Sequence, residues 1–113
     1  MKEANYAPVY CALYPALANL VRTHGYALAI HGTLGRDMDL IAVPWVLLPD
    51  EPQDVVDAIT RSFAVKEVGI AEVREHDRLV YTLSLSFGEC FIDLSFTPNK
   101  VHGTPLPESK KQK

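Results

Sequence analysis

The sequence has no run of apolar residues long enough to cross a bilayer, and its first ten residues contain no apolar core of a signal peptide. It has two cysteines, Cys11 and Cys90, which lie far apart in the chain and belong to no disulfide or metal-binding pattern. Reduced thiols of this kind are typical of the cytoplasm. We therefore expect a cytoplasmic protein with no membrane partner.

Three common signatures of enzymes are also missing: a P-loop, the glycine pattern of dinucleotide-binding proteins and a Ser/His/Asp signature. His24 and His102 have no metal-ligand spacing with a cysteine or with each other, which argues against a zinc site. Cys11 and Cys90 have no activating neighbour in sequence, and we interpret both as buried packing residues. Any chemistry must therefore depend on other side chains.

Charge is distributed unevenly along the 113 residues. Residues 99–113 hold four of the eleven Lys and Arg residues but one of the fourteen acids, so the remainder has seven basic and thirteen acidic side chains. An acidic body is a poor general surface for binding phosphates. The composition predicts one domain over residues 1–98 and a flexible basic C-terminal tail over residues 99–113.

The pattern of apolar residues in the first half predicts a helix, two strands and a second helix. Leucines at helical spacing in APVYCALYPALANLVRTHGY indicate the first helix, which we expect Pro15 to start or to kink. YALAIHG and DMDLIAVPW are typical of short buried strands. DEPQDVVDAITRSFAV predicts a helix with Asp50 as its N-cap and Pro52 in its first turn.

The second half predicts further strands. EVGIAEVREHDR is ambiguous between an irregular edge strand and a loop. RLVYTLSLSFGECFIDLSF alternates apolar and polar residues on both sides of a GE turn, which indicates a hairpin with Phe91, Asp93 and Ser95 on one face. The fold class expected is therefore a single α/β (α+β) domain, with a mixed twisted sheet and helices packed on one face.

Two aspartates, Asp37 and Asp39, interrupt the apolar strand in IHGTLGRDMDLIAVPW. Alternate strand residues point the same way at a spacing of roughly 7 Å, so the two carboxylates should project side by side. They would repel each other unless a cation or a proton is shared between them. Mg²⁺ prefers oxygen ligands, and Asp93 on a neighbouring strand would complete its site. The alternative is a turn aspartate with strand aspartates that face water.

These residues resemble the motifs of the nucleotidyltransferase superfamily. HGT corresponds to its Gly-Ser or Gly-Thr turn after the first strand, RDMDLI to its Asp-x-Asp strand, and FIDLSF to the third acid on a later strand. The resemblance implies a minimal nucleotidyltransferase-like fold in which Gly32 and Thr33 support a nucleoside triphosphate. It also implies that Asp37, Asp39 and Asp93 are catalytic and hold Mg²⁺ or Mn²⁺.

The stretches YALAIHGTLGRDMDLIAVPW and RLVYTLSLSFGECFIDLSFTP are also similar to a group of small phage-encoded proteins, which would place this protein in a host cytoplasm. In most active nucleotidyltransferases a helical segment separates the glycine turn from the acidic pair. Here only Leu34, Gly35 and Arg36 intervene. The chain therefore lacks a helix N-terminus that would help to bind phosphates at this point.

Several neighbouring residues have two interpretations. Arg36 could bind a nucleotide phosphate through its planar guanidinium group, or it could form an ion pair with a nearby acid. His31 could contact a base or transfer a proton, although a hydrogen-bonded core position is the commoner role. His76 and Arg78 could line the acidic face or belong to a solvated loop. Trp45 is predicted to anchor the core rather than to stack on a base.

Three functions are consistent with these patterns. The first is a Mg²⁺-dependent nucleotidyltransferase that moves a nucleoside monophosphate from a nucleoside triphosphate to an acceptor hydroxyl of a nucleic acid or protein. The second is a catalytically inactive protein of the same fold that binds a nucleotide, a nucleic acid or a host protein. The third is a structural or homo-oligomeric role, in which the hairpin offers an edge for strand pairing between chains.

Overall fold

A computed structural model describes residues 5–86 and 89–98 of the chain. The elements in chain order are α1 (Ala7–Thr23), β1 (Tyr26–His31), β2 (Asp37–Pro44), α2 (Pro52–Ser62), β3 (Lys66–Arg74), a 3₁₀ turn (Glu75–Asp77), β4 (Arg78–Ser84) and β5 (Phe91–Phe96). The tail predicted over residues 99–113 and the glycine of the predicted GE turn lie outside the described residues. None of the helices in the described part of the chain is long and apolar enough to cross a membrane.

The five strands form one mixed sheet in the order β1-β2-β5-β4-β3. β2 and β5 are parallel, and the other three neighbouring pairs are antiparallel. Because strand residues alternate between faces, every second residue of the three central strands enters the core with the apolar faces of both helices. The central strands supply Met38, Leu40, Ala42, Leu79, Tyr81, Leu83, Ile92, Leu94 and Phe96. The α+β domain with helices against one sheet face is as the sequence predicts.

The two outer strands are less buried than the central ones. β1 was predicted to be buried, but only Tyr26 and Leu28 of its six residues are, because β1 is an edge strand. At the other edge β3 has a register shift between Val68 and Glu72, so of the two interpretations of this stretch the structure shows the irregular edge strand. The predicted hairpin is confirmed by the antiparallel pairing of β4 with β5.

The helix boundaries follow from proline and from tertiary contacts. α1 begins at Ala7 and continues through Pro15, so Pro15 does not start the helix. The prediction of Asp50 as N-cap of α2 is wrong, because the structure places the N-cap at Glu51, directly before Pro52. The Asp50 carboxylate instead bonds to His24, with 2.7 Å between Oδ2 and Nδ1.

Two residues predicted to be buried lie at the surface. Trp45 is 51% exposed, and its indole N–H donates to the carbonyl of Arg22, 3.3 Å away. The Arg22 guanidinium group stacks on the indole ring 4.6 Å from its centre, so Trp45 packs on the end of α1 and not in the core. Cys11 is exposed on α1, whereas Cys90 is buried as predicted.

One buried phenol joins α1 to the starts of the two parallel strands. The Tyr10 hydroxyl donates to the carbonyl of Arg36, which precedes β2, and accepts the Phe91 N–H of β5 at 3.1 Å. Its side chain has no exposed surface, and burial raises the pKa of this phenol, so it stays neutral and keeps its proton for the bond to Arg36. Tyr10 therefore fixes where β2 and β5 begin relative to each other.

Replacing Tyr10 by Phe should destabilise the fold, because the Arg36 carbonyl and the Phe91 N–H would both lose their partner. An unsatisfied buried group costs about 1–3 kcal/mol. For a domain of this size we expect a fall in Tm of roughly 4–8 °C per kcal/mol in thermal melts. Tyr6→Phe is the matched control, since within the described residues the Tyr6 hydroxyl accepts a single N–H, the exposed one of Glu89 at 3.5 Å. Equal melting of Tyr10→Phe and wild type would show that the bridge is not stabilising.

Candidate functional site

A row of polar side chains crosses the sheet on the face opposite the helices. Asp39 of β2 and Asp93 of β5 are partners in the parallel pairing. His31 is the partner of Asp39 on β1, and Thr82 is the partner of Asp93 on β4. We call these four residues the polar row. The predicted position of Asp93 on the sheet face away from Ile92, Leu94 and Phe96 is confirmed.

A cavity of about 270 Å³ lies over three residues of the polar row, His31, Asp39 and Asp93. Its polar lining consists of His31, Asp39, Asp93, Ser95, Arg74 and Arg78. The two arginines come from the paired ends of β3 and β4. The cavity therefore combines two acids with two basic groups on one sheet face.

The two acids of the polar row interact electrostatically. Burial raises the pKa of the Asp93 carboxyl, and the charge of Asp39 and a hydrogen bond with Asp39 raise it further. Arg74 and a 3.5 Å hydrogen bond from the Thr82 hydroxyl to Asp93 Oδ1 act in the opposite direction. Asp93 therefore retains a proton to higher pH than an ordinary aspartate, and a bound cation would relieve the same repulsion.

Asp37 lies apart from this pair. It is exposed at the start of β2, its partner on β5 is Phe91, and it is not among the cavity-lining residues. Within residues 5–86 and 89–98, no three His, Cys, Asp or Glu side chains lie close enough together to hold a metal ion. Strand geometry explains why Asp93, and not Asp37, lies next to Asp39. Paired residues on neighbouring strands are about 4.7–4.9 Å apart, but alternate residues of one strand are roughly 7 Å apart.

The predicted phosphate turn lies against one of the acids. Gly32 has a φ of +88°, and a Cβ atom at this position would lie 3.2 Å from Asp39 Oδ2. The Thr33 hydroxyl accepts the Gly35 N–H at 3.4 Å, which folds the turn locally. Arg36 forms an exposed ion pair with Glu89 at 2.6 Å. Of the two interpretations of Arg36, phosphate binding or an ion pair with a nearby acid, the structure shows the ion pair.

The structure adds one site residue, Arg74, that the sequence did not single out, and it shows where several residues named from the sequence lie. Arg74 and Ser95 line the cavity, and His31 is exposed there, so its interpretation as a core histidine is wrong. Arg78 lines the same cavity, as one of its two interpretations allowed. His76 is exposed in the 3₁₀ turn between β3 and β4. Strand alternation already placed Ser95 on the same face as Asp93, but Arg74 required the pairing of β3 with β4.

Comparison of the chain with protein-family models, curated proteins and solved structures finds no match. The resemblance to the nucleotidyltransferase superfamily therefore stays a prediction from the sequence motifs.

Gly32→Ala should destabilise the protein, because a left-handed backbone costs an L-residue about 1–2 kcal/mol and the new methyl group would press on the Asp39 carboxylate. Gly35→Ala is the matched control, since its φ is not in the left-handed region and its Cβ would meet only the Thr33 hydroxyl at 3.7 Å. Urea unfolding of both variants measures the difference. Equal stability of the two would refute a special role for glycine at position 32.

Neutralising Asp93 should not destabilise the metal-free protein at neutral pH. The pKa of Asp93 is higher in the folded state than in the unfolded state, so ionisation of Asp93 lowers the free energy of unfolding at pH values above the folded-state pKa. This destabilisation disappears as the pH falls below the pKa of an ordinary aspartate, about 3.9. In EDTA at pH 7, we expect Asp93→Asn and Asp39→Asn to melt at the same temperature as wild type or higher. For Asp93→Asn the difference should shrink as the pH approaches about 4.

The exposed Asp37→Asn is the control for loss of one negative charge in the same strand. A clear fall in Tm for Asp93→Asn or Asp39→Asn at pH 7 would mean that the carboxylate accepts structural hydrogen bonds. In that case the acids would serve folding and not binding.

Proposed function

We propose that this protein is a Mg²⁺-dependent nucleotidyltransferase of minimal nucleotidyltransferase-like fold. It would move a nucleoside monophosphate from a nucleoside triphosphate to the hydroxyl of a nucleic acid or protein. The observation that supports this function is the pairing of Asp39 with Asp93 in a polar cavity, beside the Gly32 turn. The same acids and turn carry the sequence resemblance.

The acid pair fits a single Mg²⁺ ion. Proteins usually bind Mg²⁺ through one or two carboxylates, and substrate phosphates and waters complete its coordination. Asp39 and Asp93 provide two half-buried carboxylates whose repulsion a cation would relieve. When bound, the ion would stabilise negative charge on the phosphate oxygens. We assign the ion to these two acids, and variants at Asp37 test whether a third carboxylate takes part.

Asp93 is also suited to a proton-transfer role in the reaction. Its carboxylate has two oxygens, so one could hold the ion while the other accepts a proton from the acceptor hydroxyl. In the transfer, the acceptor oxygen would form a bond to the α-phosphorus, its proton would pass to an Asp93 oxygen, and pyrophosphate would leave. Gly32 and Thr33 would position the triphosphate through the turn beside Asp39.

A catalytically inactive nucleotide-binding protein of the same fold is the second candidate. Two observations favour it. Asp37 lies outside the cavity, and the described acids include no cluster of three, whereas transfer by two metal ions requires more ligands. The turn between β1 and β2 also contains no helix whose N-terminus could bind phosphates. Such a protein would bind a nucleotide without transferring it.

Transfer and binding assays on the same variants separate these candidates. The protein is incubated with α-³²P-labelled nucleoside triphosphates, Mg²⁺ or Mn²⁺, and total host RNA and protein as acceptors. We expect label transfer by wild type and none by Asp39→Asn or Asp93→Asn. Thermal melts should show stabilisation by metal and nucleotide, about 2.7 kcal/mol at a hundredfold excess over Kd, that both variants lose.

Asp37→Asn is the matched control because it removes the same charge two residues away. Retained transfer in Asp37→Asn would support a site of two carboxylates, and lost transfer would require the third. Stabilisation by metal and nucleotide without transfer would select the inactive candidate. If neither occurs in wild type, both candidates are wrong.

A further inference from the structure

The two cavity arginines are presented by the closed end of one strand hairpin. Arg74 ends β3, Arg78 begins β4, and the two are partners in the last row of the pairing. The three-residue turn between them is tight, with φ values of 64° at His76 and 58° at Asp77. Both side chains line the cavity that holds Asp39 and Asp93. The hairpin therefore places two guanidinium groups together beside the acid pair.

The Arg78 side chain is held over the sheet by uncharged oxygens. Its Nη1 donates to the Ser95 hydroxyl at 3.1 Å, and its Nε donates to the Glu75 carbonyl at 3.4 Å. Ser95 is 5% exposed and lies two residues after Asp93 on β5, so Arg78 points back along the strand toward the acids. These bonds orient the guanidinium group without neutralising its charge. They also leave several of its five N–H donors for another acceptor.

Arg74 has a weaker local partner. Its Nε and Nη2 atoms both lie 3.3 Å from Glu72 Oε1, in an ion pair whose side chains are 48% and 67% exposed. Exposed ion pairs of this kind contribute little stability, so an incoming anion can take over the guanidinium group. Arg74 is also close enough to Asp93 to lower its pKa, which places the guanidinium group near the acid pair.

The charge pattern of the cavity restricts the ligand. Phosphate groups match the planar donor arrangement of two arginines, but the acids would repel a free polyphosphate chain. A polyphosphate chain that carries a divalent cation matches both the acids and the arginines of the cavity. Its cation would lie against Asp39 and Asp93, and its free phosphate oxygens would lie against the two arginines.

The size and lining of the cavity restrict the ligand further. Its volume of about 270 Å³ is below the roughly 300–1,000 Å³ of cavities that enclose a drug-sized ligand. A nucleoside triphosphate is at least as large as a drug-sized ligand, so this cavity is too small to enclose all of it. His31 supplies the one side-chain ring among the lining residues, so the cavity offers little surface for stacking a base.

We propose that Arg74 and Arg78 bind the phosphate chain of a metal–polyphosphate ligand, and that the cavity accommodates this chain while the base stays outside. This proposal rests on the proposed function, since it assumes that the acid pair binds the cation. It assigns the phosphate-binding role to the β3–β4 hairpin in addition to the Gly32 turn. It also implies that the protein accepts all four common bases and binds inorganic tripolyphosphate.

Isothermal titration calorimetry with defined probes tests the proposal. The Mg²⁺ complexes of ATP, GTP, CTP, UTP and inorganic tripolyphosphate are titrated into wild type, Arg74→Gln, Arg78→Gln, Arg78→Lys and Asp39→Asn. Arg61→Gln is the matched control, because Arg61 is exposed on α2, on the other side of the sheet. Mn²⁺ binding without phosphate is measured in parallel by electron paramagnetic resonance. Thermal melts confirm that each variant is folded.

We expect the five probes to bind wild type with affinities within about tenfold of one another. Losing charge-assisted hydrogen bonds should weaken every probe by about 10- to 100-fold in Arg74→Gln and in Arg78→Gln. Arg61→Gln should bind as wild type does, and Mn²⁺ binding should persist in both cavity variants. Arg78→Lys should recover only part of the affinity, since it keeps the charge but not the planar donors.

Two results would overturn the proposal while leaving the proposed function intact. One is unchanged nucleotide affinity in a folded Arg74→Gln, with loss in Asp39→Asn. The other is binding of one nucleotide more than a hundredfold tighter than tripolyphosphate. Absence of Mn²⁺ binding and of all probe binding in wild type would instead reject the proposed function and this proposal together.

Discussion

The register of the parallel pair β2–β5 determines both the core and the candidate site. In this register Met38 and Leu40 of β2 face the helices while Asp39 faces away, and Asp93 lies directly beside Asp39. Because side chains alternate with a period of two, a slip of one residue would turn the carboxylate of one strand toward the helices. A buried unpaired carboxylate is costly, so the hydrophobic core selects the register that also pairs the acids. The Tyr10 hydroxyl reinforces this choice from α1.

Much of the fold could be predicted because local patterns and tertiary packing agree. The alternation in β4 and β5 follows directly from burial on one face, which is why the sequence could place Asp93 opposite Ile92 and Leu94. The sequence could not tell that Asp93 would pair with Asp39 and not with Asp37, since that depends on how two distant strands align. Arg74 was missed for a similar reason, because the β3 segment is too exposed to show a clear strand pattern.

The local predictions that failed involve residues whose contacts come from elsewhere in the chain. Aspartate is a residue type that often caps helix N-termini, but the Asp50 carboxylate hydrogen-bonds to His24 at the end of α1. Trp45 is large and apolar, yet it packs on Arg22 at the surface, and the core is filled by other residues of the helices and the sheet. Neither outcome can be read from neighbouring residues alone.

The parallel pairing has a consequence for the order in which this protein folds. Asp39 and Asp93 are separated by 54 positions in the chain. In contrast, the pairs β1–β2 and β3–β4 each join consecutive strands that a short turn connects. Closing a long loop costs conformational entropy before its contacts can form, so nearby strand pairs should form earlier. We therefore expect the acid pair to be assembled in one of the last steps of folding. A chain still emerging from the ribosome, with residues 91–98 not yet free, would contain most of the helices and strands but no assembled site.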